Sequence, residues 1–327
     1  MERRVTREGN DFVCGSASGR PLARRSLTIF EEDWWLIAAT AGQVDRVEIR
    51  WDNVLVGTLD YHVTTRLGIR RIVLPPFTRL LAPRLNAPGR KPVSILDNNT
   101  RIIREMFQRL GRFDLYRTRL PSDQALVLPF QFNQAFSTFS ASFVSPAVDQ
   151  VENVLAGMHQ KTRNVIRQAN DRIIFESHQD IDRFRRICVD GHRGNDQNDY
   201  AVLDRLWREI TARHRGTIIS AMDHSRKDIA ACAVIWDANT AYYWLSARTE
   251  DVLAKKANPA LFFEALGLAK KKSLDFDADG YGSLAAGRFL AHFGLPVTFR
   301  AVVEKRGQAY RLLKPIKDAL MPTSPEL

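Results

Sequence analysis

The residues best suited to chemistry fall between Arg215 and Lys305. Asp277 and Asp279 end a short predicted strand, Leu274-Asp275-Phe276-Asp277, and lead into the turn Asp279-Gly280-Tyr281-Gly282-Ser283. A carboxylate at a strand end is placed to take a proton from an amine or to hold an ammonium group. The same pattern suits an Asx turn, in which Asp279 bonds its own backbone. Tyr281, in that turn, is a candidate contact for the acceptor. Tyr242 and Tyr243 lie on one predicted strand and face opposite sides. One packs in the core while the other offers a proton to a leaving group; Tyr243 is carried as that candidate. His292, between Phe289 and Phe293, is either a general base or a packing histidine.

Two groups of cations accompany these residues. Lys255-Lys256-Ala257-Asn258-Pro259 reads as a basic loop entering a helix over 260–270, with Asn258 as its N-cap and Pro259 in its first turn. The two lysines and the backbone N–H groups from Ala257 and Asn258 through Ala260 to Leu261 would then cradle a phosphate. A well-capped helix with no ligand is the plainer alternative. On a predicted helix over 161–170, Lys161, Arg163 and Arg167 fall within about 160° of arc. That face suits phosphates or the anionic part of an acceptor, or it is simply solvated while Val165, Ile166 and Ala169 point inward.

Several elements must hold these groups. Strands are expected at 216–222, 229–236 and 241–247, with a turn at 223–228, and a helix at 287–294. Upstream, a helix at 30–41 precedes strands at 44–50 and 54–61, joined through Trp51-Asp52-Asn53 as a tight hairpin. Further strands are read at 69–74, 113–119, 126–130, 136–144 and 172–177. Helices are read at 100–110, 181–189 and 203–212, and 146–160 as a connector. Helix, hairpin, strand, helix and strand thus occur twice. The fold class is α/β with mixed α+β sheets, in two tandem units: a basic, disordered tail over 1–26, then 27–150 and 151–320. Trp207, Trp236, Trp244, Phe262 and Phe263 fall at core spacing.

The chain has 327 residues, 45% hydrophobic, with a net charge of +11. Such a charge points to anionic partners. No apolar run is long enough to span a membrane, and no signal peptide is visible, so a cytoplasmic location is expected. Cys14, Cys188 and Cys232 have no metal spacing and read as reduced thiols; no metal is expected. P-loop, Rossmann and G-x-S-x-G fingerprints are missing from the sequence.

Three segments in order resemble a known group. Val73-Leu74-Pro75-Pro76-Phe77-Thr78 with Leu81-Ala82-Pro83 looks like its first-domain strand and proline pair. Gln160-Lys161-Thr162-Arg163-Asn164-Val165-Ile166-Arg167-Gln168-Ala169 resembles its basic helix, and Asp275-Phe276-Asp277 with Phe289-Leu290-Ala291-His292-Phe293-Gly294 its closing motif. The group is the GNAT-fold acyltransferases of the FemAB-like type, and the resemblance runs from Trp34 to about Val303. It implies two tandem GNAT-like domains and transfer of an acyl group to an amine, with acyl-CoA or aminoacyl-tRNA as donor. Leu290 stands where cell-wall bridge enzymes of the group typically carry lysine, which leans toward acyl-CoA as co-substrate, while the basic surface pulls back toward tRNA and leaves the donor open. Direct attack by the amine is expected, since no activated serine or cysteine is evident. A non-catalytic adaptor for nucleic acid is the rival of another class.

Overall fold

The computed structural model describes residues 26–66, 68–122, 124–192, 199–307 and 310. The expected basic tail lies outside the described residues, save for Ser26. Among the described residues the chain forms two compact units, one from 43–139 with 300–310 and one from 27–42 with 140–299.

The second unit begins with a short 3-10 turn at Ile29–Glu31 and helix α1 (Asp33–Thr40). The first unit then opens with β1 (Asp45–Trp51) and β2 (Val54–Arg66). Asp52 and Asn53 both take positive φ, 47° and 64°. That is the conformation a two-residue hairpin needs, and Asp and Asn tolerate it. Strands β3 (Ile69–Val73), β4 (Arg84–Leu85) and β5 (Leu115–Arg119) come next, around helix α2 (Pro92–Arg109). Ile102, Ile103, Met106 and Phe107 form the buried face of α2, at helical spacing. They pack on the sheet at Gly57, where an added Cβ would lie 2.6 Å from the Ile102 side chain. Helix α3 (Val127–Phe132) precedes β6 (Phe136–Ser145), whose last residues belong to the second unit. The first unit's sheet closes with β12 (Val297–Arg306), in the order β1-β2-β3-β5-β12 with β4 on β2. β3 and β5 are parallel, whereas β2 runs antiparallel to β1, β3 and β4, and β12 antiparallel to β5.

The second unit continues with helices α4 (Val151–Gly157) and α5 (Gln160–Asn170), β7 (Ile174–His178), and helices α6 (Ile181–His192) and α7 (Tyr200–Ala212). Strands β8 (Gly216–Met222), β9 (Asp228–Trp236) and β10 (Thr240–Arg248) come next, then α8 (Val252–Lys271), β11 (Asp275–Asp277) and α9 (Leu284–Ala291). The sheet order is β6-β11-β10-β9-β8-β7. β8 is buried throughout and β9 nearly so, the mark of strands covered on both faces. Ala260, Leu261, Phe262 and Ala265 of α8 pack with Cys232 and Val234 of β9 in one core. Trp207, Trp244 and Phe262 are buried as expected, and Trp236 and Phe263 lie partly buried against that core.

Three local expectations need correction. Residues 126–130 are not a strand: the run enters α3, a continuous apolar stretch whose period cannot separate the two forms. Pro129 sits within its first turn, where its missing N–H costs nothing, and Asn133 closes the helix by donating to the Pro129 carbonyl at 2.8 Å. The expected connector at 146–160 contains α4, with Val154 buried beneath it. β12 is absent from the sequence-based elements, because its pairing with β5 joins residues far apart in the chain.

Residues 27–42 dock on the second unit through aromatic rings and one carboxylate. Phe30 meets Trp35 and Tyr242, and Trp35 meets Trp244, at 5.0 to 5.4 Å between centroids. Asp237 accepts from the Ile29 N–H (3.2 Å), the Tyr242 hydroxyl (3.0 Å) and the Asn239 and Thr240 N–H groups. Burial raises its pKa above the ordinary carboxylate value, and those hydrogen bonds oppose the shift. A carboxyl whose folded pKa is raised stabilises the fold less once ionised. Stability therefore falls as pH rises from near 4 through the raised value. Asp237→Asn is expected to flatten that slope in denaturant titrations across pH 4–7. Asp237→Ala should cost about 1–3 kcal/mol and expose the Ile29 amide to hydrogen exchange.

Candidate active site

Strand β10 is paired on one edge and abandoned on the other. Along β9 it pairs from Ala241 to Arg248, with an irregularity between Tyr243 and Leu245 where the register shifts by one residue. Such a bulge twists a strand and re-aims the side chains beyond it. Against β11 it pairs only from Thr240 to Tyr242, in parallel with Asp275 to Asp277. Among the described residues no strand takes up that edge from Tyr243 to Arg248. Backbone donors and acceptors over about 20 Å of strand are left facing the gap.

The gap ends at α8. Asp251, not Asn258, is the N-cap; its carboxylate accepts the Leu253 N–H at 2.7 Å. Residues 255–259 are therefore helix rather than loop, and Pro259 lies inside α8. The amides of Ala257, Asn258 and Ala260 belong to helical hydrogen bonding, and Ala257 and Ala260 are buried against the core. The N–H groups outside a helix's own ladder are its first ones, here around 251–254 and one turn upstream of the expected cradle, and of these the Leu253 N–H is already held by the Asp251 carboxylate. Lys255 and Lys256 remain exposed on the second turn. Two start signals compete in this stretch, Asp251 before an apolar run and Asn258-Pro259. The first prevails because Ala254 and Ala257 find core contacts.

A cavity of about 260 Å³ opens where β10 ends, lined by Gly191, Ser246, Ala247, Arg248, Thr249, Glu250 and Asn258. Of the expected cofactor residues, Asn258 alone lines it. The rest of the lining escaped sequence reading, since nothing local marks a strand end as a cavity wall. Gly191 is required by proximity: a Cβ there would fall 2.2 Å from the Arg248 carbonyl oxygen.

The acidic turn is a buried clip. Asp277 is 4% exposed and Asp279 8%. The Asp277 carboxylate accepts from the Ser142 hydroxyl (2.6 Å) and the Asp279 N–H (2.8 Å), and the Gly280 N–H donates to the Ser142 oxygen (2.9 Å). Asp279 and Gly280 have φ of 60° and 79°, a left-handed pair that reverses the chain at the end of β11. Asp277 thus carries the Asx-turn bonding expected of Asp279, and ties β11 to β6. Tyr281 is partly buried; its ring packs beside Gly287 and Phe143.

The other candidates are spread out. Tyr243 packs against Phe262 and Phe276, and burial pushes its hydroxyl well above the ordinary phenol value. Tyr242 is no freer, being held by Asp237. His292 is exposed and stacks on His159 at 5.0 Å, and its carbonyl accepts the His159 N–H. On α5, Arg163 is committed to the carbonyls of Ala156 and Met158, whereas Lys161 and Arg167 face solvent. Cys188 and Cys232 are buried and form no disulfide among the described residues. Among the described residues no group of three metal-ligating side chains occurs, and no helix is long and apolar enough to cross a membrane.

Gly191→Ala must push α6 away from the end of β10. A loss of about 1–3 kcal/mol in chemical denaturation is expected. A stability equal to the parent's would contradict the close approach.

No protein-family model matches the chain, and no curated protein matches it. Solved structures do. FemX covers 91% of this chain and 96% of its own at a TM-score of 0.63 and 7% identity. The C-terminal domain of a putative lysylphosphatidylglycerol synthetase from Agrobacterium fabrum covers 88% and 92% at 0.55 and 12%. A tandem GNAT protein from the clavulanic acid biosynthesis pathway covers 80% and 82% at 0.50 and 11%. At these identities the likeness is one of fold. The fold of this chain is a GNAT-like fold, similar to that of FemX and of the tandem GNAT protein.

Proposed function

We propose that the chain is an N-acyltransferase that carries an acyl group from acyl-CoA to an amine by direct attack. The observation that carries this reading is the open edge of β10, running from its parting with β11 to the start of α8. An extended donor arm lies along that edge, exchanging hydrogen bonds with the backbone from Tyr243 to Arg248. Its pyrophosphate sits at the N–H groups around 251–254, with Lys255, Lys256 and Arg248 supplying positive charge. Its thioester then reaches the parting of β10 and β11, beside the turn that holds Asp277 and Asp279.

The amine nitrogen attacks the thioester carbonyl carbon and forms the C–N bond. The C–S bond breaks, and the thiolate leaves with the electron pair. The proton lost by nitrogen passes to a carboxylate, for which Asp279 is the candidate; its left-handed φ is the strain that functional turns carry. Asp277 positions that turn. The acceptor side draws on Lys161, Arg167 and Tyr281.

A second reading takes aminoacyl-tRNA as donor. The net charge of +11 favours it, as does the similarity to a protein named as a lysylphosphatidylglycerol synthetase. The two readings separate in one panel: thermal shift with acetyl-CoA, longer acyl-CoAs and aminoacyl-tRNA, then mass spectrometry of amines incubated with the stabilising donor. Acyl-CoA is expected to raise Tm and to yield an acylated amine. Lys255→Ala with Lys256→Ala should weaken binding about tenfold. Asp279→Asn should lower kcat about 100-fold or more with the thermal shift retained. Stabilisation by aminoacyl-tRNA alone would favour the second reading, and no shift with any donor would remove both.

A further inference from the structure

The first unit carries arginines where its fold does not use them. Register fixes which side chains share a face. Ile72, Tyr116 and Val303 lie in the core beneath α2. The alternate residues therefore point to the opposite face. There Thr64 of β2 is level with Arg71 of β3, which is level with Leu115 of β5, which is level with Arg306 of β12. One step to one side of that level, Arg66 pairs with Ile69; one step to the other side, Arg117 pairs with Glu304. Arg66 and Arg71 are thus diagonal neighbours on adjacent strands about 5 Å apart, whereas Arg117 lies beyond Arg71 in the opposite direction and Arg306 two strands away.

Acid does not balance them. Glu304 pairs with both Arg117, at 3.9 Å, and Arg306. Asp60, farther along the same face, is taken by Arg46 and Arg84. Arg66 and Arg71 meet no carboxylate among the described residues. The Arg71 Nε and the Thr64 Oγ1, on directly opposed residues, are both shielded from solvent and without a hydrogen-bond partner. A buried N–H and a buried hydroxyl left side by side carry a penalty that an anion would remove.

We infer that this face is a second anion site, which binds a ligand bearing at least two linked phosphate groups. Arg71 and Thr64 take one phosphate and Arg66 the next. This pair matches a diphosphate better than a single carboxylate, because cations on diagonal neighbours about 7–8 Å apart can each meet a different anionic group. It lies in the first unit and does not depend on the donor assignment to the second.

The test uses the full chain with inorganic pyrophosphate and tripolyphosphate in calorimetric titrations, at ionic strength held constant with sodium chloride. Saturable binding is expected. Arg71→Gln should weaken it by about tenfold or more, and Thr64→Val by a few-fold. Arg66 is exposed, so Arg66→Gln keeps the test decisive should Arg71→Gln fail to fold. Acyl-CoA thermal shift is measured on the same variants and should be unchanged, which separates failure here from failure of the donor reading. Equal pyrophosphate affinity in the parent and in folded Arg66→Gln and Arg71→Gln proteins would overturn the proposal. So would binding that sodium chloride alone reproduces.

Discussion

A strand that loses its neighbour halfway along is the constraint on which the second unit turns. Backbone amides and carbonyls demand partners, and buried sheets ordinarily supply them from both sides. β10 receives them from β9 along most of its length but from β11 for only three residues. The bulge near Trp244 is held by packing of that ring against Trp35. The aromatic dock of residues 27–42 therefore supports the geometry of the gap as well as the N-terminal segment.

The short length of β11 has its own cause. Asp277 turns back to bind the Asp279 N–H and the Ser142 hydroxyl, and Asp279 and Gly280 take left-handed φ. The chain cannot extend as a strand past that point. Ala278 gives its N–H to Phe143 of β6 instead. A buried carboxylate that accepts two hydrogen bonds thus ends one strand and frees the edge of the next. On the other side, Asp251 starts α8 immediately after β10, which sets a helix start at the mouth of the gap. Local hydrogen bonds at two aspartates define the two ends of the gap.

Much of this was legible from residue patterns, and the failures have physical reasons. Asp52-Asn53 gave the first hairpin directly, and the apolar β8 and β9 read as strands. The closing Asp275-Phe276-Asp277 and Phe289-to-Gly294 motifs pointed to a GNAT-type fold, which the structural comparisons show. The start of α8 was misplaced because Asn258-Pro259 carries a stronger local signal than Asp251, and only tertiary packing of Ala254 and Ala257 decides between them. Arg163 looked like a ligand contact by type and spacing, but its reach to the Ala156 and Met158 carbonyls is a property of the α4–α5 corner. The neighbouring Arg66, Arg71 and Thr64 of the first unit could not be read at all, since they meet only through the register of β2 and β3.

The central claim concerns where a donor lies, and amide hydrogen exchange addresses it most directly. With acyl-CoA bound, the amides from Tyr243 to Arg248 that face the gap, and those around 251–254, should slow their exchange. The amides of β8, already inside the sheet, should not change. Bound acyl-CoA that leaves both stretches exchanging at their original rates would place the donor elsewhere and contradict the account.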